Sequence, residues 1–217
     1  MANATSGNAV VVFDFDGTVA DTFEHFVSIG NRMAQEHGFR QASADEIDLL
    51  RDMSFWQVIR RFDIPLVKVP FLVAQAEREL RRRMDEVQVV DGVREVILEL
   101  KGRGKTMGIV TSNSLQNVTA FLRRHDMVVF DFVKTLSRIW GKVRQFRQVM
   151  RDRKLAPEQV LYICDEVRDI RAARKAGVRV AAVTWGFNSA KALEEQRPDY
   201  LVSMPEELLS ICGRFPL

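Results

Sequence analysis

The feature that most constrains the fold of this chain is a set of short apolar runs that do not alternate with polar residues. They are "AVVVFD" (9–14), "TMGIVTS" (106–112), "MVVFDFV" (127–133), "QVLYICD" (159–165) and "VRVAAVTW" (178–185), with "DYLVS" (199–203) as a short edge candidate. A strand with one wet face alternates at every second residue, so a run that is apolar on both faces predicts a strand covered on both sides. Between the runs lie stretches of helical period. "VREVILELKGRG" puts Val93, Val96, Ile97 and Leu100 on one stripe and stops at a glycine; "SLQNVTAFLRRH" follows the same logic, and "VRDIRAARKAG" does too, stopping at Gly177. Strand–helix–strand alternation predicts an α/β fold, a parallel sheet with helices on both faces.

One region breaks the alternation. From about Asp21 to Val90 there is no strand pattern, only helical ones. "TFEHFVSIGNRMAQEHG" has helical spacing and a terminal glycine. "SADEIDLLRD" opens with a serine three residues before a glutamate, a capping box. "SFWQVIRRF" runs to a turn at "DIP", and "VPFLVAQAERELRRRMDEV" aligns Val69, Leu72, Val73, Ala76, Leu80, Met84 and Val87. An all-helical insert of roughly 70 residues therefore separates the first strand from the rest of the sheet.

Composition sets bounds. With 217 residues, 47% hydrophobic and 28% charged, the chain can build one sizeable core, or a core and an appendage. A formal net charge of +3 suits an anionic small molecule and is too weak to imply nucleic acid. Cys164 and Cys212 have neither metal spacing nor a disulfide framework, which points to a reducing, cytoplasmic setting. The start "MANATSGNAV" has no basic region and no long apolar run, so it reads as no signal peptide, and no segment is apolar for long enough to span a membrane.

Against this frame the carboxylates stand out. Asp14 ends the first strand, Asp16 is two residues on, Gly17 permits a tight backbone excursion, and Thr18 can hydrogen-bond within it. The next strand ends in Thr111, Ser112 and Asn113, and another ends in "CDEVRD", with Asp165 and Asp169. Open α/β sheets bind ligands at the carboxyl ends of their strands. Carboxylates gathered there repel one another unless a cation holds them, and hard oxygen donors select Mg2+.

These segments resemble the haloacid dehalogenase superfamily, chiefly its phosphatases with an α-helical cap inserted after the first strand. "DFDGT" (14–18) matches the first motif, D-x-D-G-T; "VTSNS" (110–114) matches the second; "WGKVRQF" offers Lys142 as the lone lysine of the third; "YICDEVRDIRAARKAG" (162–177) resembles the fourth. The resemblance implies a Rossmann-like core made of residues 1–19 and 89–217, with 20–88 as the helical cap. It implies Asp14 as a nucleophile forming an aspartyl-phosphate and Asp16 as the acid and base. Thr111, with backbone N–H groups near Ser112 and Asn113, would bind the phosphoryl group, and Lys142 would neutralise charge. Mg2+ would be held by Asp14, the Asp16 carbonyl and Asp165, with Asp169 reaching it through water or steadying the loop. The implied activity is hydrolysis of a small phosphorylated metabolite, and phosphoglycolate is the best-known substrate of relatives with this cap. A phosphomutase of the same fold and a non-catalytic phosphate-binding scaffold are the alternatives; a chelator-sensitive phosphatase assay separates them.

Three departures stand beside the match. Cys164 replaces the usual glycine of the fourth motif, where a side chain could crowd the loop. Lys142 lacks a following proline, and Lys134 competes for its role. Asp91-Gly92 stands where many relatives have Pro-Gly. Bland readings stay open as well. Thr111 or Ser112 could cap a helix, and Asp169 could be a helix-start aspartate. His25, His37 and His125 read as ordinary helix residues. The run "RELRRRM" (78–84) reads as a solvated face that could alternatively recruit an anion, and Phe55 and Trp56 read as packing residues that could line a pocket.

Overall fold

The structure, a computed structural model, describes residues 9–135 and 141–215. Residues 1–8, which include most of the polar start, and Trp140 of the third motif lie outside the described residues. In chain order the elements are β1 (Val10–Phe13), β2 (Ala20–Asp21), α1 (Phe23–His37), α2 (Ala44–Arg51), α3 (Phe55–Arg61), α4 (Val69–Arg82), β3 (Gln88–Val89), α5 (Val93–Gly102), β4 (Thr106–Thr111), α6 (Leu115–Arg124), β5 (Phe132–Thr135), α7 (Lys142–Arg153), β6 (Val160–Cys164), α8 (Val167–Ala176), β7 (Arg179–Val183), α9 (Ala190–Glu194), β8 (Tyr200–Val202) and α10 (Glu207–Arg214).

Six strands form one parallel sheet in the order β5-β4-β1-β6-β7-β8. The connections leave β1 first to one side and then to the other, so β1 and β6 flank the switch point where such sheets open a ligand crevice. β1 shows why its sequence does not alternate. Val11 and Phe13 pack into the cluster under α5, α6 and α10, and Val10 and Val12 into the one under α7, α8 and α9. All four are buried, each contributing about 1.5–3 kcal/mol of apolar transfer.

Three expectations need correction. The run 127–133 is not one strand. Asp126 takes a left-handed φ of 53°, Val129 N–H bonds the Met127 carbonyl, and Val128 is 69% exposed. Pairing begins only where Asp131 exchanges bonds with Met107, and β5 follows it. Apolar content alone does not distinguish this turn from a strand. The helical segment is also not free of strand. β2 and β3 form a two-residue antiparallel pair where the chain leaves the sheet layer and where it returns. Two residues are too few to show a period. The capping box of Ser43 and Glu46 forms as expected, whereas α4 stops at Arg82, so Met84 and Val87 are buried beyond its end.

Candidate active site

The loop after β1 is tight. Gly17 N–H bonds the Ala20 carbonyl, Ala20 N–H bonds the Phe15 carbonyl, and Phe15 is buried against Phe121. The backbone turns Asp14 inward. Its Oδ1 accepts from Phe15 N–H at 2.8 Å, and its Oδ2 accepts from Lys142 Nζ at 2.6 Å. Lys142 is the first residue of α7, an unfavourable place for a cation because the helix dipole is positive there. It is buried all the same, bonding Asp169 Oδ2 at 2.5 Å and Tyr162 Oη at 2.8 Å as well. Asp169, in the first turn of α8, thus turns inward while sitting at a favourable helix start, so both readings of it coexist. Lys134 pairs with Asp152 at the surface, 3.1 Å away. The lysine beside Asp14 is therefore Lys142.

Asp165 follows β6. Its Oδ1 accepts from Thr18 Oγ1 and its Oδ2 from Phe187 N–H, both at 2.8 Å. Thr18 thus bonds across to the fourth motif rather than within its own loop. Glycines make room for this carboxylate. A Cβ on Gly17, whose φ is +73°, would stand 2.2 Å from Asp165 Oδ2, and a Cβ on Gly186 would stand 2.2 Å from the same atom.

The loop after β4 brings up the second motif. Thr111 is buried and its Oγ1 accepts from Asn113 N–H at 2.9 Å, so that N–H is already used. Asn113 Nδ2 lies 3.2 Å from both oxygens of half-buried Asp16. Ser112 is half-buried beside them. The helix cap of α6 is Ser114, which accepts from Asn117 N–H, and this leaves Thr111 and Ser112 free of that duty.

Burial, and then neighbouring charge, perturbs the four motif aspartates. Burial pushes Asp14 well above the usual carboxylate range, against the pull of Lys142, and the charges of Asp169 and Asp165 add to the rise. Burial likewise lifts Asp165 to about 7, helped by Glu166, and Asp16 to about 6 against the Asn113 bond. Burial opposes Asp169's charge, but Lys142, the Asp14 bond and Arg168 together outweigh it and hold this carboxyl low. Burial also opposes the charge on Lys142, and Asp14 and Asp169 hold it protonated. Cys164 sits in the apolar cluster with Tyr162 and Ala182 and does not crowd the loop; burial keeps its thiol neutral.

Among the described residues no three His, Cys, Asp or Glu side chains already stand as a metal cage. The residues present nevertheless fit a hard divalent cation. The donors are all hard oxygens, the Asp14 and Asp165 carboxylates and the Asp16 backbone carbonyl, and each Asp165 oxygen keeps a lone pair beside its one hydrogen bond.

Four residues at the site escaped the sequence reading: Tyr162, Gly186, Phe187 and Asn188. A tyrosine inside the aliphatic run "VLYIC" is a signal, since a buried hydroxyl needs a partner. A glycine just past a buried strand, in "VTWGFN", is a weaker one. His25, His37 and His125 are absent from these contacts; His37 bonds Gln75.

A parallel sheet with an aspartate pair after its first strand, a lysine between two motif carboxylates and a helical insert define a class. The profile of haloacid dehalogenase-like hydrolases matches residues 11–183, and the chain belongs to that family. Among individual proteins, it is 34% identical over 200 residues to phosphoglycolate phosphatase of Synechococcus elongatus, covering 92% of this chain and 94% of that one. It is 26% identical over 209 residues to pyrophosphatase PpaX of Bacillus mycoides, covering 94% and 96%. A haloacid dehalogenase-like family hydrolase of Streptococcus pneumoniae superposes with a TM-score of 0.80 at 21% identity, over 95% of this chain and 99% of that one.

Proposed function

We propose that the chain is a Mg2+-dependent phosphoric monoester hydrolase working through an aspartyl-phosphate on Asp14. The observation that carries this reading is Lys142 bridging Asp14 and Asp169 at the sheet's switch point, with Asp16 two residues beyond the nucleophile. Asp14 Oδ attacks the phosphorus, and the bond to the leaving oxygen breaks as Asp16 gives that oxygen a proton. Asp16 then takes a proton from water, the water oxygen attacks the phosphoryl group, and phosphate leaves with Asp14 regenerated. An Asp16 carboxyl lifted to about 6 is suited to both roles near neutrality. Lys142 holds Asp14 in place and offsets charge on the phosphoryl oxygens; Thr111 and Ser112 donate to those oxygens. Asp14, the Asp16 carbonyl and Asp165 would hold Mg2+, with Asp169 beside them, and the ion would supply charge neutralisation between carboxylate and phosphate.

The Synechococcus relative makes phosphoglycolate the first compound to assay. Protein stripped with EDTA should release no phosphate from it or from p-nitrophenyl phosphate, and added Mg2+ should restore turnover. Full activity in EDTA would sink the metal assignment, and no release from any monoester with Mg2+ would sink the phosphatase.

A further inference from the structure

The helical segment and the core below it line a partly open cavity of about 340 Å3. Its wall is apolar, with Phe26, Phe39, Phe55, Phe62, Met33 and Leu50 among the side chains that line it. Many of these are only half-buried, so the four helices leave their inner faces partly uncovered. On the core side the wall is Glu166, Phe187 and Asn188. These belong to the phosphoryl site's own surroundings. Glu166 follows Asp165, and Phe187 donates its N–H to Asp165 while its ring packs edge-on against Phe23 and Phe26 of α1, at 5.5 and 5.3 Å. One residue thus touches both the carboxylate loop and the cavity.

The charged groups on the wall are engaged. Arg40 pairs with Glu46 at 2.6 Å, and Arg51 donates to the Gly186 and Thr184 carbonyls. A second anionic group on a substrate would meet the Glu166 carboxylate on the core side of the wall, while an apolar group would displace water from aromatic walls.

Resting on the phosphatase reading, we propose that this cavity receives the organic part of the substrate, and that the preferred substrates are phosphate monoesters of apolar alcohols larger than glycolate. Gly30 provides the test. It lines the cavity from α1, and a Cβ added there would meet nothing within 4 Å. Gly30→Leu fills the space from a helical position that favours a side chain over glycine.

Ethyl, butyl and hexyl phosphate have leaving groups of nearly equal basicity, so chemistry is constant along the series. With Mg2+, wild-type kcat/KM should rise at least about tenfold from ethyl to hexyl, with phosphoglycolate near the ethyl ester. Gly30→Leu should flatten the series and leave ethyl phosphate unchanged. Thermal shifts with ethyl- and hexylphosphonate, which are not hydrolysed, give a readout independent of turnover, and the hexyl compound should stabilise wild type more than Gly30→Leu. Equal rates along the series in an active enzyme, with no chain-length effect on the shifts, would overturn the cavity assignment and leave the phosphatase standing. No turnover of any ester, with the chain-length effect on binding intact, would overturn the phosphatase and keep the cavity.

Discussion

Asp165 depends on what its neighbours lack. Gly17 and Gly186 press against its carboxylate from two sides, and any Cβ at Gly186 would overlap Asp165 Oδ2. Gly186→Ala should therefore move this carboxylate while leaving Asp14 and Lys142 in place. The expected outcome is a fall of about 10–100-fold in apparent Mg2+ affinity, as for disturbed supporting groups of metal sites. A Mg2+ titration of phosphate release measures it, and an unchanged midpoint would mean Asp165 does not depend on that glycine. Lys142 is the complementary case, a cation at a helix N-terminus kept there by Asp14 and Asp169. Lys142→Met keeps an unbranched chain one atom shorter and removes the charge, leaving the Asp14 and Asp169 carboxylates without their cation in a buried site. Turnover should fall by about a hundredfold or more, with the Mg2+ requirement steepened. Near wild-type turnover at ordinary Mg2+ would remove the lysine from the mechanism.

Between elements, the loop after β7 ties the helical segment to the sheet. Asn188 accepts from Val167 N–H at the start of α8 and donates to the carbonyls of Arg51, the last residue of α2, and Met53 just past it. Ser189 N–H bonds the Arg51 carbonyl, and its hydroxyl bonds Asp52. Asn188→Ala should cost about 1–3 kcal/mol in urea unfolding, since it strands the buried Val167 N–H and removes the side-chain donor to the part-buried Met53 carbonyl, while the Arg51 carbonyl keeps Ser189 N–H. A loss within error of zero would show that the two layers are held by packing alone. None of this loop's role was legible in the sequence, because its partners in the helical segment lie more than a hundred residues away and Asn188 has no local pattern. The sheet strands were legible for the opposite reason: burial on both faces writes itself into a continuous run. β5 was displaced by a turn with strand-like composition, and β2–β3 were too short to carry a period. Asp14, Asp16, Asp165 and Asp169 were legible because a charge at the end of a buried strand is costly and so conspicuous. Tyr162 and Gly186 left only faint signals, since their importance lies in the atoms they meet.

At the scale of the whole molecule, the site stores a cost that pH should reveal. Asp165 and Asp16 carry folded-state pKa values of about 7 and about 6, above the ordinary 3.8. Between roughly pH 4 and 7 the folded protein then binds more protons than the unfolded chain, so stability falls as pH rises through that window. In EDTA the thermal midpoint should drop from pH 5 to pH 8, and Mg2+ at pH 8 should recover it, because the ion binds the folded state. A midpoint in EDTA that is flat or rises over that range would contradict the burial of these two carboxyls. The most direct test of the central claim is to catch the covalent state. Asp16→Asn keeps the size of the residue and its backbone carbonyl but removes the base towards water. With p-nitrophenyl phosphate, whose leaving group hardly needs an acid, nitrophenol should appear in a burst stoichiometric with enzyme, followed by slow turnover. Rapid-quench mass spectrometry should find one phosphoryl group on the peptide containing Asp14. A variant that binds Mg2+ and substrate yet carries no phosphate on Asp14 would contradict the account.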